Sequence, residues 1–240
     1  MKFACLVALA LLALASPSTG RAENPVTAIE SLKIQLWPDY DRPAVLVMIT
    51  GSLPSSAPLP AFVNLPLLPG ANLNAVARAD ANGNLFADIV YTADPGRLSL
   101  STPDPQFRVE YYVPYRVEGG EHHFTFDWLA DVSVEALSVI VQKPASATSL
   151  VTQPPATEVV HGEDGLTYHV LPTSSAPARE ALSVHLSYVA TAAALSAETR
   201  AAPAPPLHRF RSSGFPRHPR HPRQPRPTPA WAGDSCSPSS

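Results

Sequence analysis

The chain is a succession of short runs in which apolar and polar residues alternate, cut at close intervals by proline and glycine. "SLKIQLW" sets Leu32, Ile34 and Leu36 against Lys33 and Gln35. "FRVEYYV" sets Phe107, Val109, Tyr111 and Val113 against Arg108 and Glu110. "HFTFDW" sets Phe124, Phe126 and Trp128 against Thr125 and Asp127. "LSVHLSY" sets Leu182, Val184, Leu186 and Tyr188 against Ser183, His185 and Ser187. A period of two puts each apolar set on one side of a pleated strand. "AVLVMI" at 44–49 is apolar in both phases and predicts a central strand covered on both faces.

Turn chemistry separates these runs. "DANGN" (80–84) carries an Asn-Gly pair suited to a hairpin, and "ADPGR", "EGGE" and "GEDG" are further turns. In "VSVEALSVIVQ" the apolar phase moves from Val132 and Val134 to Leu137, Val139 and Val141, which predicts a β-bulge near Glu135–Ala136. No stretch has helical spacing of useful length. The pattern predicts an all-β fold, an antiparallel β-sandwich. It is one large sandwich or two packed halves, 23–103 and 104–190, divided at "STPDPQ". From 191 to 240 the alternation stops, which predicts a disordered Ala/Pro linker and a Pro/Arg/His-rich tail.

The N-terminus sets the compartment. Lys2 precedes the apolar run "ACLVALALLALA", which is too short to span a membrane as a helix. Small residues at Gly20 and Ala22 complete the pattern of a signal peptide, residues 1–22, and the mature chain is expected to be extracytoplasmic. Cys5 leaves with that peptide. Cys236 then stands alone, so neither an internal disulfide nor a cysteine zinc site is expected. Residues 23–200 carry nine Lys/Arg against nineteen Asp/Glu, and residues 201–240 carry six Arg against one Asp. An acidic body argues against nucleic acid as partner and leaves an envelope protein or a glycan.

"LWPDYDRPAVLVMITGSLP", "LPAFVNLPLLPGANLNAVA", "FTFDWLADVSVEALSVIVQKP" and "DGLTYHV" together resemble a group of bacterial extracytoplasmic proteins of unassigned function. "FRVEYYVPY" and "LSVHLSYV" belong to the same pattern. Members look like a signal peptide, a β-rich ectodomain and a C-terminal transmembrane helix. The resemblance covers about residues 30–190 and implies a non-enzymatic binding or structural domain at the cell envelope. "ADANGNLFA" also resembles the hairpin of prealbumin-like, carboxypeptidase-regulatory-like sandwiches. Where the group carries its anchor, this chain has "HRFRSSGFPRHPRHPRQPRPTPAW". That segment cannot span, because its arginines are costly in hydrocarbon and its prolines break a helix. It is an anion-binding arm, a weak metal-binding tract or the product of a shifted frame that replaced the anchor.

The chemistry-bearing residues are few. No G-x-S-x-G elbow, phosphate loop, dinucleotide fingerprint or H-E-x-x-H is present, so no enzyme activity and no cofactor are expected. "DANGN" spaces Asp80, Asn82 and Asn84 as a calcium loop does, but its glycine is misplaced and a hairpin turn explains it. His123, His169 and His185 each fall in the polar phase of their runs. If those strands were neighbours, the three imidazoles would converge as a Zn or Cu site; otherwise they are separate surface residues. "LWPDYDRP" places Trp37 and Tyr40 beside Asp39 and Asp41, the residue types of a sugar-binding loop. The simpler reading is a strand-end loop whose tryptophan closes the edge of the core.

Overall fold

The computed structural model describes residues 25–192 and 194–199; the signal-peptide reading and the tail reading from residue 201 lie outside them. Sixteen strands and one short helix follow in order. They are β1 (Ala28–Pro38), β2 (Val45–Ser52), β3 (Ala61–Pro66), β4 (Asn72–Ala79), β5 (Leu85–Phe86) and β6 (Val90–Asp94). Then come β7 (Arg97–Thr102), β8 (Gln106–Val113), β9 (Arg116–Glu118), β10 (Glu121–Leu129) and β11 (Ser133–Lys143). The last are β12 (Ala147–Gln153), β13 (Glu158–His161), β14 (Thr167–Val170), β15 (Ser174–Ala176), β16 (Ala181–Ala190) and the helix α1 (Ser196–Thr199). The fold is nearly all-β, as the alternation requires.

The strands form three sheets. The largest runs β13-β14-β11-β1-β2-β8-β4-β5, with β15 also on β11. The second runs β12-β16-β10-β9 and the third β3-β7-β6. β8 follows "STPDPQ" yet lies between β2 and β4, so the large sheet draws strands from both sides of that boundary. Every pairing between the named strands of the described residues is antiparallel except β1 with β11, which is parallel from Ala28↔Ser133 to Leu36↔Val141. Alternation specifies which face a residue takes but not strand direction, so this exception is invisible in the sequence. The expected slip in β11 is present, since its register to β15 shifts between Val134 and Leu137. The "DANGN" turn closes β4 onto β5. Gly83 takes φ 81°, and the Asp80 carboxylate accepts from the Asn82 and Asn84 amides and from Asn84 Nδ2. Those bonds occupy Asp80 within its own turn and hold its carboxyl below the usual range, the Asn84 side chain contributing most.

One continuous apolar core joins all three sheets. Trp128, Tyr111, Tyr188, Phe107 and Phe126 are its largest fully buried side chains. Trp128 also donates from Nε1 to the Pro66 carbonyl at 3.2 Å, linking β10 to β3. β2 is covered on both sides as expected. Val45, Val47 and Ile49 enter the main core, while Leu46 and Met48 join Tyr112 in a second cluster under Trp37, Tyr40 and Ala44.

Gly51 marks a close approach in the core. It pairs directly with Phe107 across β2 and β8, and the Phe107 ring lies over it where a Cβ would stand. Gly51→Ala is therefore expected to destabilise by about 2–3 kcal/mol through overpacking. Urea denaturation of Gly51→Ala and of Gly51→Ala with Phe107→Leu checks this. The second change should recover much of the loss, and an unshifted midpoint in the single variant would refute the packing account.

The stretch after β16 differs from the linker expected there. Ser196, at the start of α1, is fully buried. Its amide donates to the Asp39 carbonyl at 2.8 Å, and the Ala197 amide donates to the Tyr40 carbonyl at 2.8 Å. Ser196 Oγ accepts from Gln142 Nε2 at 3.0 Å and from the Ala145 amide at 3.1 Å. Residues 194–199 thus dock on the loop between β1 and β2 and on the end of β11. A polar serine inside an alanine-rich run gives no periodic signal, which is why the sequence reads as linker.

Candidate functional site

The loop between β1 and β2 is pinned by its own backbone: the Asp39 amide donates to the Ala44 carbonyl at 3.1 Å and the Ala44 amide to the Arg42 carbonyl at 2.8 Å. Asp39 takes φ 48°, a left-handed conformation that Asp tolerates better than most residues. The turn splits the residues expected to form one ligand site. Asp39 faces inward and is 7% exposed. Asp41 faces outward, where both its oxygens accept from Tyr112 Oη at 3.0 and 2.9 Å. The Arg42 guanidinium lies 3.7 Å from the centre of the Tyr112 ring. Trp37 and Tyr40 meet edge to face at 4.7 Å, and Tyr168 lies 6.0 Å from Trp37. Trp37 and Tyr40, both partly exposed, pack against the outer cluster on β2 and β8. Aromatic residues next to carboxylates in sequence do not reveal that the turn sends Asp39 to the side opposite Asp41 and the rings.

The inward side of the loop holds the more specific arrangement. Asp39 Oδ1 accepts from Tyr115 Oη at 2.7 Å, and Oδ2 accepts from Tyr188 Oη at 2.6 Å. Tyr115 follows β8 and Tyr188 lies near the end of β16. His122 of β10 stacks on the Tyr188 ring, centroids 4.5 Å apart and planes 12° from parallel, and meets the Tyr115 ring edge-on at 4.9 Å. Its Nδ1 is buried without a hydrogen-bond partner among the described residues. A cavity of about 370 Å³ opens here, walled by Asp39, Pro43, Tyr115 and His122 and by residues of the segment after β16. A signal for this cluster existed in the sequence: His122 is in phase with Phe124, Phe126 and Trp128, and a polar ring on the apolar phase requires a partner.

The tyrosines around this loop are held protonated. Burial first, and then the bonds to Asp39, push Tyr115 and Tyr188 well above the ordinary phenol value. Tyr112 is pushed up to about 12 by burial and by Asp41, and burial alone raises Tyr111. A raised folded pKa means stability that is complete while tyrosine in the unfolded chain is still protonated, and that is lost as pH rises toward the folded value. Melting temperature should therefore be level up to about pH 9 and fall as pH climbs from about 10 toward 12. Tyr188→Phe should flatten that fall. An equal alkaline slope in the variant would remove Tyr188 from the account.

The three histidines that would converge only if their strands were neighbours are divided between two sheets. His123 and His185 share the outer face of the β12-β16-β10-β9 sheet, since Thr125 pairs with His185 and His123 with Ser187. His169 belongs to β14 in the large sheet and is paired with the core residue Val141, on the core side and not the solvent side. It is half-buried, and burial lowers its pKa with help from Lys143. No group of three or more His, Cys, Asp or Glu placed to hold a metal ion occurs among the described residues.

The chain matches no protein-family model and no curated protein. Among solved structures, it is similar to the M1 zinc metallopeptidase from Deinococcus radiodurans. The TM-score is 0.43 at 16% identity, over 66% of this chain and 41% of that one. A mutant of the same peptidase bound to a Tyr-Ser-Ala substrate gives 0.43 and 16% over 66% and 42%. The chain thus spans about two fifths of the length of those peptidases.

Proposed function

We propose that this chain is a non-enzymatic binding domain of the bacterial cell envelope, exported by residues 1–22, and that its ligand occupies the cavity beside Asp39. The carrying observation is convergence: a loop and two separate strand ends bring Asp39, Tyr115 and His122 to one cavity of about 370 Å³, with Tyr188 buried behind them on Asp39 and His122. That size suits a small ligand held by a few fixed polar groups in a largely apolar wall. Both oxygens of Asp39 are already bonded and the tyrosines keep their protons, so the cluster supplies a rigid frame and no proton-transfer pair.

A fragment library screened by ligand-observed NMR against the mature chain tests this. Fragments that bind the wild type should lose binding to His122→Phe, while that variant melts normally. Identical binders for both would place the ligand elsewhere. Glycan-array binding that is lost in Trp37→Ala but kept in His122→Phe would move the site to the outward side of the loop.

A further inference from the structure

The outer face of the β12-β16-β10-β9 sheet is a second place where polar groups gather, separate from the cavity beside Asp39. The register arranges them in rows. One row runs Val151, Ser187, His123, Arg116; the next runs Gln153, His185, Thr125. The intervening residues Phe124, Phe126, Val184 and Leu186 are buried in the core, so these side chains stand on the opposite face. They line a shallow concavity of about 260 Å³. Its wall holds one arginine, two histidines, an amide and three hydroxyls, and no carboxylate, although acidic residues outnumber basic ones two to one in the body.

The carboxylates stand at the rim. Glu121 lies 3.7 Å from His123, and Glu118 lies 3.5 Å from Arg116. At the other end Asp127 accepts from Ser183 Oγ at 2.6 Å. Ser183 and Thr125 in turn hold the two ring nitrogens of His185, at 3.3 and 2.9 Å. Both nitrogens being engaged, His185 has no lone pair to offer a metal. Because Ser183 donates to Asp127, its oxygen accepts from His185 Nε2, and His185 Nδ1 in turn accepts from the Thr125 hydroxyl.

We propose that this face binds an oxyanion, carboxylate or phosphate, carried on a hydroxyl-bearing ligand. Arg116 meets the charge, and N–H and O–H groups of His123, Gln153 and Ser187 complete its hydrogen bonds. Glu121 and Asp127 at the two ends accept from neighbouring hydroxyls of the same ligand.

The test is an NMR titration of the mature chain with galacturonate and with inorganic phosphate, using glucose as neutral control and constant ionic strength. Saturable shifts are expected at Arg116, His123, Thr125, Gln153, His185 and Ser187. Arg116→Gln and His185→Ala, both surface changes that leave the melting temperature unmoved, should each weaken binding by about tenfold, as loss of a charge-assisted contact or of its orienting ring does. Galacturonate binding tighter than phosphate assigns the site to a sugar acid; the reverse order assigns it to a bare phosphate. Three results overturn the proposal: equal shifts with glucose, undiminished affinity in Arg116→Gln, or zinc binding at His123 and His185 without any anion binding.

Discussion

Replacing Trp128 with alanine is expected to cost about 3–5 kcal/mol of folding stability, the usual range for a deleted core aromatic. Trp128 is 2% exposed and is the largest fully buried side chain of the core. Its removal opens a cavity where β10 packs under β3, and strands held in fixed ladders relax poorly into such a space. It also leaves the Pro66 carbonyl without the bond from Nε1. Trp128→Phe separates the two losses, because it keeps most of the volume and gives up the hydrogen bond. It should cost roughly a third as much as the alanine change. Chemical denaturation of the three proteins is the measurement. An alanine variant with an unchanged midpoint would mean that the apolar phase of β10 does not face the core.

Asp39→Ala is expected to be comparably damaging, about 3–5 kcal/mol, by a different route. The buried Tyr188 Oη and the half-buried Tyr115 Oη lose their acceptor at once. A hydrogen bond to a charged group contributes about 1.5–3 kcal/mol, and an unsatisfied partner left in the interior adds to the loss. The left-handed backbone at φ 48° also disfavours alanine. Asp39→Asn keeps one acceptor oxygen and tolerates that backbone, so it should lose about half as much. A cycle of Asp39→Asn with Tyr188→Phe should show strong coupling, whereas additive losses would remove the shared bond from the explanation. The Ser196 amide offers a second readout. It donates to the Asp39 carbonyl, and its hydrogen exchange should quicken in Asp39→Ala if that loop is what holds residues 194–199 in place.

How far the sequence could be read depends on which property each feature expresses. The phases of β1, β8, β10 and β16 were legible because one buried face imposes a period of two. The bulge in β11 was legible because it breaks that period. The turn at 80–84 was legible from its Asn-Gly chemistry. Pairing leaves no such trace. The position of β11 beside β1, and of β8 between β2 and β4, depends on distant residues meeting. The same reason hid the clamp on Asp39, whose partners Tyr115 and Tyr188 lie 76 and 149 residues away. Trp37, Asp39, Tyr40 and Asp41 were found by proximity along the chain, and a left-handed turn then divided them. His123 and His185 were placed on the correct face by phase alone, while His169, read by the same rule, lies on the core side of a different sheet. His122 stands next to His123 on the apolar phase of β10, and that place carries it to Tyr188 and the cavity.

The parallel pairing of β1 with β11 has a kinetic consequence. The partners lie about a hundred residues apart. β2 follows β1 closely, so that hairpin closes early through a short loop. The other edge of β1 stays bare until residue 143 is available, and that edge belongs to a hairpin whose inner face carries Ile29, Leu32, Ile34, Leu36, Val47 and Ile49. Long loop closure before any reward makes such a topology slow to reach its native state. An early hairpin with one open, apolar edge is also a template for pairing with another chain. Refolding yield should therefore fall steeply with protein concentration, and a peptide copying β11 should capture the nascent hairpin in trans. The last strand to join the centre of the large sheet thereby governs whether the first one survives.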